Sequence, residues 1–266
     1  MTTAQAEPCL QARNLTVGYG DRAVQRDLCF SVRHRSVFAI MGGSGCGKST
    51  VLRSMIGLLR PFAGTVLVEG EDYWAATGTR RIEIGRRFGV LFQSGALWSS
   101  MTVAENVALP MQMFTRLHAR EIDALVGLKL SLVGMADSGV RMPAELSGGM
   151  RKRAGLARAL ALDPDVLFFD EPSAGLDPVT SRRLDDLILE LRDGLGATIV
   201  IVSHELASLF AICDDGVFLD AEAQTAIAHG APQMLRDSCD HPTVRAFMTR
   251  GSSDPANPKE TRDGRE

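Results

Sequence analysis

Residues 41–50 read MGGSGCGKST and directly follow an apolar run, VFAI, at residues 37–40. Glycines let a backbone wrap closely around an anion, and the N–H groups of such a loop and of the helix after it point at negative charge. A lysine followed by a hydroxyl side chain supplies contacts to the terminal phosphates and to Mg²⁺. We therefore predict a nucleoside triphosphate cradle formed by Gly42, Gly43, Ser44, Gly45, Cys46, Gly47, Lys48, Ser49 and Thr50.

The composition of the 266 residues, 45% hydrophobic and 23% charged, is that of a globular enzyme with a sizeable core. No apolar run approaches the ~20 residues that cross a bilayer, so we expect any membrane role to depend on a partner. Residues 1–7 carry neither a basic nor an apolar segment, which predicts no secretion signal. Five scattered cysteines indicate a reducing compartment, and a net charge of −3 gives no basis for nucleic-acid binding.

The pattern of strands and helices predicts an α/β fold. Short strands over residues 9–35 and 64–70 indicate an antiparallel β flap beside the nucleotide core. The continuous apolar runs at 166–169 and 198–202 are typical of strands buried on both faces of a parallel sheet. Between these segments, residues from about 102 to 162 have helical spacing.

These elements predict a single domain over residues 9–250, with a helical subdomain at about 95–162. Residues 251–266 are polar, contain prolines and lack aliphatic side chains. Such segments cannot bury enough apolar surface to order themselves, so we predict a disordered tail.

Two carboxylates, Asp170 and Glu171, end the apolar run at 166–169. Open α/β sheets present ligands at the carboxyl ends of their strands. Asp170 would orient a Mg²⁺ shell there, and Glu171 would polarise an attacking water, which is the minimum that phosphoryl transfer needs. The alternative is that this pair only ends a strand before Pro172.

The segment at 146–150, LSGGM, opens a strongly helical run that extends to residue 162. Ser147, Gly148 and Gly149 thus lie at a helix N-terminus, where backbone N–H groups attract anions. The alternative is an ordinary N-cap with flexible glycines. A single phosphate cradle does not need a second anion-binding site unless the two sites meet across a dimer.

Six segments follow one another along the chain: 42–50, Gln93 after an apolar strand, 146–150, 166–171, 173–177 and His204. They resemble, in the same order and at plausible spacing, the Walker A, Q-loop, signature, Walker B, D-loop and H-loop motifs of ATP-binding cassette (ABC) ATPases. Tyr19 stands where that family has an adenine-stacking aromatic. The resemblance covers about residues 9–250 and implies a P-loop NTPase core.

The resemblance implies a head-to-tail homodimer that holds two ATP molecules with Mg²⁺. The cradle of one subunit would face Ser147 and Gly149 of the other, and Asp177 would link the two sites. Glu171 would be the catalytic base and His204 would contact the γ-phosphate. Gln93 would sense metal and water. The residues that would bind the metal ion are Ser49, Gln93 and Asp170. Hydrolysis would remove the γ-phosphate contacts and let the dimer open.

Two positions within these motifs need comment. Met150 stands where the commonest signature has glutamine, and a thioether cannot replace the hydrogen bonds of an amide. We therefore expect activity but assign no nucleotide contact to position 150. A thiol at a helix N-terminus, such as Cys46, has a lowered pKa and is open to modification; the alternative, which we favour, is a tolerated spacer.

Four further segments point to one subgroup of the ABC ATPases: 91–98 (LFQSGALW), 101–107 (MTVAENV), 142–150 (MPAELSGGM) and 241–247 (HPTVRAF). They closely resemble the ATPases of bacterial lipid transporters that work with MCE-domain proteins, including the system for outer-membrane lipid asymmetry and its organic-solvent-resistance relatives. The implied partners are an integral inner-membrane permease and a periplasmic MCE-domain protein. The implied location is the cytoplasmic face of that membrane.

Three smaller features of the sequence have more than one interpretation. Leu97, Trp98 and Met101 would either receive a permease helix in an apolar groove or pack inside the helical subdomain. The basic residues at 151–153 are better explained as solvated helix side chains than as a membrane contact. Residues 230–250, with apolar side chains at helical spacing, are a candidate for crossing the dimer.

We expect a transporter motor for phospholipid or another hydrophobic compound. Two alternatives remain: an ATPase for a small polar solute such as an amino acid, and a non-transport cassette that acts on ribosomes or DNA. The segment after Gln93 argues against the first. The absence of a second fused cassette or a long insert argues against the other.

Overall fold

The computed structural model describes residues 7–250, and in that part ten strands form two sheets. One sheet has four strands and the other has six. The strands are β1 (Leu10–Tyr19), β2 (Arg22–Val32), β3 (Val37–Gly42), β4 (Ala63–Val68), β5 (Glu71–Asp72), β6 (Phe88–Leu91), β7 (Val166–Asp170), β8 (Thr198–Val202), β9 (Asp215–Leu219) and β10 (Ala226–His229).

Nine α-helices connect and cover the strands within the same described residues. None of these nine is both long and apolar enough to cross a membrane. The helices are α1 (Lys48–Met55), α2 (Gly78–Gly85), α3 (Val103–Phe114), α4 (Ala119–Leu132), α5 (Gly148–Ala159), α6 (Pro178–Leu195), α7 (Leu206–Ile212), α8 (Pro232–Ser238) and α9 (Pro242–Met248).

The six-stranded sheet has the order β10-β9-β3-β8-β7-β6, in which β9, β3, β8, β7 and β6 run parallel. Side chains alternate between its faces, so β3 sends Phe38 and Ile40 into one core and Ala39 and Met41 into the other. Both faces of this sheet are therefore buried, which accounts for the unbroken apolar sequences of its central strands. The predicted parallel sheet is confirmed.

The four-stranded sheet has the order β2-β1-β4-β5 and is antiparallel throughout, as predicted for the flap. Its side chains Leu10, Leu15 and Val17 are buried in the same core as Phe38 of β3 and Val51 of α1. The flap thus packs against the strand and the helix that flank residues 41–50, and it supports that loop from one side.

Helices α3, α4 and α5 form a packed group on the other core, where their apolar side chains join those of β3. Helix α3 begins at a capping box, in which Thr102 and Glu105 each bond the backbone of the other. The domain limits at 9–250 and the subdomain limits at 95–162 stay predictions. The predicted tail at 251–266 lies outside the described residues.

The C-terminal helix α9 packs on its own subunit. Val244, Phe247 and Met248 are buried in the same core as Met41, and the Phe247 ring meets Phe218 edge-on with centroids 5.0 Å apart. The apolar surface of these three side chains is already covered within the chain and is not exposed to a partner subunit. The hypothesis that residues 230–250 cross the dimer stays a prediction.

Candidate active site

The loop between β3 and α1 depends on two glycines with positive φ, 144° at Gly42 and 99° at Gly47. Side chains rarely tolerate such backbone angles. Space is also missing: a Cβ would lie 2.3 Å from the Leu219 carbonyl oxygen at Gly42 and 2.5 Å from a Val24 methyl at Gly47. Residues of β9 and β2 therefore pack closely against the loop. The N–H groups at its end begin helix α1.

Lys48 is the first residue of α1 and is buried. Its Nζ donates to the carbonyl oxygens of Gly42 and Gly43, both at 2.9 Å. An ammonium has three N–H donors, so these two bonds hold the positive charge inside the loop and leave one donor for a further acceptor.

Ser49 joins the loop to the end of β7, because its hydroxyl donates to Asp170 Oδ1 at 3.1 Å. Parallel β3 and β7 end at the same edge of the sheet, which is why residues 121 positions apart meet here. Burial raises the pKa of the Asp170 carboxyl, while the Ser49 hydrogen bond opposes that change.

Glu171 follows β7 with a φ of 51°, a left-handed conformation that is uncommon for a residue with a side chain. Its N–H donates to the Val202 carbonyl oxygen at 2.8 Å, and its Oε1 lies 2.8 Å from Nδ1 of His204. The other oxygen, Oε2, is buried and has no hydrogen-bond partner among residues 7–250. Such an atom marks a position where a water or ligand is accommodated.

One cavity of about 690 Å³ contains the predicted site, and its volume lies in the range of small-molecule sites. The structure brings Gln93, Glu171 and His204 together with side chains of the loop there. Other lining residues have no signal in the sequence, because distant elements supply them: Val24, Leu206, Phe247 and Arg250.

Tyr19 lines an adjoining cavity of about 380 Å³, which shares Val24 and Gly45 with the first. Its hydroxyl accepts a hydrogen bond from Arg53 at 2.7 Å, and about half of the ring surface is exposed. A half-exposed aromatic ring beside the loop suits stacking on a flat base.

The remaining predicted residues lie outside these two cavities. Ser147 caps α5 by accepting from the Met150 N–H at 3.2 Å, and Asp177 caps α6 by accepting from the N–H groups of Val179 and Thr180. The two helix starts touch, since a Cβ on Gly149 would lie 2.9 Å from a Thr180 methyl. Ser147, Gly148, Gly149 and Asp177 therefore form a second surface, separate from the cradle of their own subunit.

The family model described as ABC transporter matches residues 25–174, which is more than half of the chain. The chain belongs to the ABC transporter family. Its core, flap and cradle are thus those of an ABC ATPase, and the predicted fold class and ATPase activity are confirmed.

The relatives of this ABC ATPase include the intermembrane phospholipid transport system ATP-binding protein MlaF of Escherichia coli K12. That protein is 41% identical over 236 residues, which cover 89% of this chain and 87% of its own. The probable ribonucleotide transport ATP-binding protein mkl of Mycobacterium leprae is 38% identical over 254 residues, covering 96% of this chain and 72% of its own.

Solved ABC cassettes share the fold. The cbiO1 subunit of Clostridium perfringens, part of the transporter complex cbiONQ, has a TM-score of 0.78 and 27% identity, covering 86% of this chain and 90% of its own. The cassette MJ0796, solved as a dimer bound to ADP and Pi, has a TM-score of 0.75 and 25% identity, covering 83% of this chain and 97% of its own.

The prediction of a lowered thiol pKa at Cys46 is wrong. The side chain of Cys46 is buried, and burial raises the pKa of the thiol despite the nearby Lys48 ammonium. Desolvation of the thiolate outweighs the positive charge. Cys46 is thus a packed spacer in this ABC cassette, the alternative that the sequence favoured.

The basic residues at 151–153 were expected to be solvated, and for Lys152 that expectation is wrong. Lys152 is only 5% exposed, whereas Arg151 is exposed and donates to the Leu146 carbonyl oxygen at 2.7 Å. Helix geometry explains the difference, because consecutive residues point in different directions around α5. Lys152 therefore faces the protein interior.

The apolar residues after Gln93 were predicted either to receive a permease helix or to pack inside the helical subdomain, and Trp98 and Leu97 differ in this respect. Trp98 is 59% exposed, whereas Leu97 packs against the core. Asn106 fixes this loop, because its amide bonds the backbone of Trp98, Met101 and Thr102. Trp98 is thus held rigidly on the surface, and Leu97 helps to anchor it.

Another group of possible metal ligands lies far from the cradle: Cys9, His34 and Glu69, whose ligand atoms are within 4.8 Å of one another. Arg87 already pairs with Glu69 at 3.3 Å, and burial raises the pKa of the Cys9 thiol to about 11. A guanidinium beside the carboxylate and a protonated thiol do not suit a metal ion, so we assign this group to an ion pair.

Proposed function

We propose that the chain is the ATP-hydrolysing motor of a transporter that moves phospholipid, or another hydrophobic compound, between bacterial membranes. The observation that carries the proposal is the 41% identity to the phospholipid transport subunit of Escherichia coli over almost the full length of both chains. The roles of the individual residues below are parts of the same proposal.

ATP binds with its phosphates in the cavity lined by Gly43, Ser44, Gly45, Lys48 and Thr50. The backbone N–H groups at the start of α1 and the Lys48 ammonium offset the phosphate charge. The remaining loop positions, Gly42, Cys46 and Gly47, allow the backbone to come close. Tyr19 stacks on the adenine from the adjoining cavity.

The donor set beside the cradle fits Mg²⁺, which prefers oxygen ligands. Ser49 and Asp170, 3.1 Å apart, supply a hydroxyl and a carboxylate, and Gln93 supplies an amide oxygen from the same cavity. The ion, when bound, offsets the charge of the phosphate groups. Protein oxygens of this kind would orient the ligand shell of the ion.

Glu171 acts as the base. Its Oε2 faces the buried position described above and accepts a proton from an attacking water, while Oε1 stays bonded to His204 at 2.8 Å. His204 keeps the carboxylate oriented and contacts the γ-phosphate. Gln93 on the same cavity wall senses whether metal and water are in place.

The second surface completes the site of a neighbouring subunit. Ser147, Gly148 and Gly149 present the N-terminus of α5, and Asp177 lies beside them at the start of α6. One chain cannot bring this surface onto its own cradle, so a head-to-tail homodimer is needed. The dimeric MJ0796 cassette supports this arrangement.

The permease docks beside the loop that follows Gln93. A cavity of about 650 Å³ lies between α2, β6 and α3, and Ile82, Phe88 and Phe114 form apolar parts of its wall. Trp98 adds an exposed aromatic ring on the neighbouring loop. An amphipathic helix of an inner-membrane permease fits such a groove, and movement at Gln93 would reach it through this loop.

The permease holds the chain at the cytoplasmic face of the inner membrane, and a periplasmic MCE-domain protein carries the lipid onward. The name of the mycobacterial relative points to ribonucleotides instead. The higher identity of the phospholipid subunit, and the share of its own length that is covered, favour lipid.

The test is isolation of the native complex in detergent from cells that carry either the wild-type chain or Glu171→Gln. Loss of ATPase activity in the variant, with a permease and an MCE-domain protein recovered in both samples, would support the proposal. Recovery of a solute-binding protein and its permease would change the substrate class. Ribosomes or DNA without a membrane protein would end the transport proposal.

A further inference from the structure

Lys152 makes three hydrogen bonds to the turn that carries Glu171. Its Nζ donates to the carbonyl oxygens of Glu171 at 3.3 Å, Pro172 at 2.5 Å and Ala174 at 2.6 Å. An ammonium has three N–H donors, so this turn takes all of them. The side chain is buried, and its charge is compensated by carbonyl dipoles and by the nearby Glu171 carboxylate.

The turn needs such support. Glu171 has a φ of 51°, and a non-glycine residue keeps a sparsely populated conformation of this kind only where the surrounding structure holds it in place. Its N–H side is fixed by the bond to the Val202 carbonyl oxygen at 2.8 Å. Lys152 fixes the carbonyl side, and the two anchors together determine where the Glu171 side chain points.

Lys152 also ties the turn to the second surface. It lies in the second turn of α5, whose first residues are Gly148 and Gly149. Its acceptor Ala174 belongs to the segment that leads to Asp177. A shift of α5 along its axis therefore moves the carbonyl groups on both sides of Pro172.

We propose that Lys152 is a positioning residue for hydrolysis, which holds Glu171 in place and passes the position of the Ser147–Gly149 surface on to it. The inference rests on the proposed function, because it takes Glu171 as the base. In the dimer, a γ-phosphate bound against α5 of one subunit would thereby adjust the base of that same subunit's own site. Lys152 itself does not line the nucleotide cavity.

The experiment compares Lys152→Ala with Lys129→Ala in the extracted complex. Lys129 is a matched control, because it is also a buried lysine, on α4, but its partner is Asp163 and it lies away from the cavity. We expect kcat to fall about 100-fold in Lys152→Ala, the effect of a base misplaced by about 1 Å. The affinity for a fluorescent ATP analogue should change by no more than about twofold, since a positioning residue acts on kcat.

Added ethylammonium should restore part of the rate of Lys152→Ala and none of any loss in Lys129→Ala, because a small ammonium ion fits the space of the missing side chain. If Lys152→Ala does not fold, Lys152→Gln replaces it, and a kcat between those of the wild type and Glu171→Gln is expected. A wild-type kcat in either Lys152 variant would overturn the inference, and so would equal losses of kcat and affinity without rescue.

The same measurements separate the two proposals. If Glu171→Gln hydrolyses ATP at the wild-type rate, the role of Glu171 in the proposed function fails. If Glu171→Gln is inactive while Lys152→Ala keeps its rate, only the role of Lys152 fails.

Discussion

Replacing Gly155 by alanine should lower both stability and ATPase activity, because Gly155 is the point where α5 meets the loop that carries Gln93. A Cβ at this position would lie 2.9 Å from the Gly95 carbonyl oxygen and 2.9 Å from a Leu91 methyl. The loop cannot easily retreat, since Arg158 of α5 donates to the carbonyl oxygens of Gly95 and its neighbour at 3.0 and 2.7 Å.

The expected loss of stability in Gly155→Ala can be estimated by comparison with Gly127→Ala. Gly127 lies in the interior of α4 with nothing within 4 Å of its Cβ direction, so Gly127→Ala should only gain helix propensity, about 1 kcal/mol. Gly155→Ala has the same gain but also an overpacking cost of about 1–3 kcal/mol. For a chain of this size that cost corresponds to a Tm difference of about 2–12 °C between the variants.

The assay measures thermal unfolding and phosphate release for both variants. A displacement of the Gln93 loop should lower kcat of Gly155→Ala by up to about 100-fold, while Gly127→Ala keeps the wild-type rate. Nucleotide affinity should remain, because Gly155 lies in the middle of α5 and belongs neither to the cradle nor to the Ser147–Gly149 surface. Equal Tm values and equal rates for the two variants would refute the contact between α5 and this loop.

Three further substitutions or treatments test the site and the core. Glu171→Gln should lower kcat by about 10²–10⁴ without weakening ATP binding, and a parallel loss of affinity would contradict its role as base. Iodoacetamide near neutral pH should label the exposed Cys29 in the native protein but Cys46 only after unfolding, as peptide mass spectrometry would show. Phe247→Ala should cost about 3–5 kcal/mol in chemical denaturation, whereas the half-exposed Phe62→Ala should cost far less.

The cradle could be predicted because its chemistry lies in one short segment. The glycines that adopt positive φ at positions 42 and 47, and Lys48 at the helix start, all belong to one continuous run of residues. The parallel strands were predictable for a related reason, since burial on both faces leaves an unbroken apolar run such as that of β8.

Errors arose where the environment comes from distant parts of the chain. For Cys46 the sequence favours a tolerated spacer, but a lowered thiol pKa was attributed to its place at a helix start; packing buries the thiol and raises that pKa instead. Lys152 resembles its two basic neighbours in sequence, and only the turn at Glu171 distinguishes it. The apolar side chains of α9 have the spacing expected of an interface, yet their own core covers them.

Residue patterns along the chain were enough to predict the phosphate loop, the strand and helix types and the family, because these depend on local backbone preferences and on motifs in a set order. The tertiary structure alone decided which groups meet. It set the 3.1 Å contact of Ser49 with Asp170, left Oε2 of Glu171 buried and unpaired, and directed Lys152 to the Glu171 turn. Burial, charge and hydrogen bonding depend on neighbours in space, and in the Ser49–Asp170 contact those neighbours are 121 residues apart along the chain.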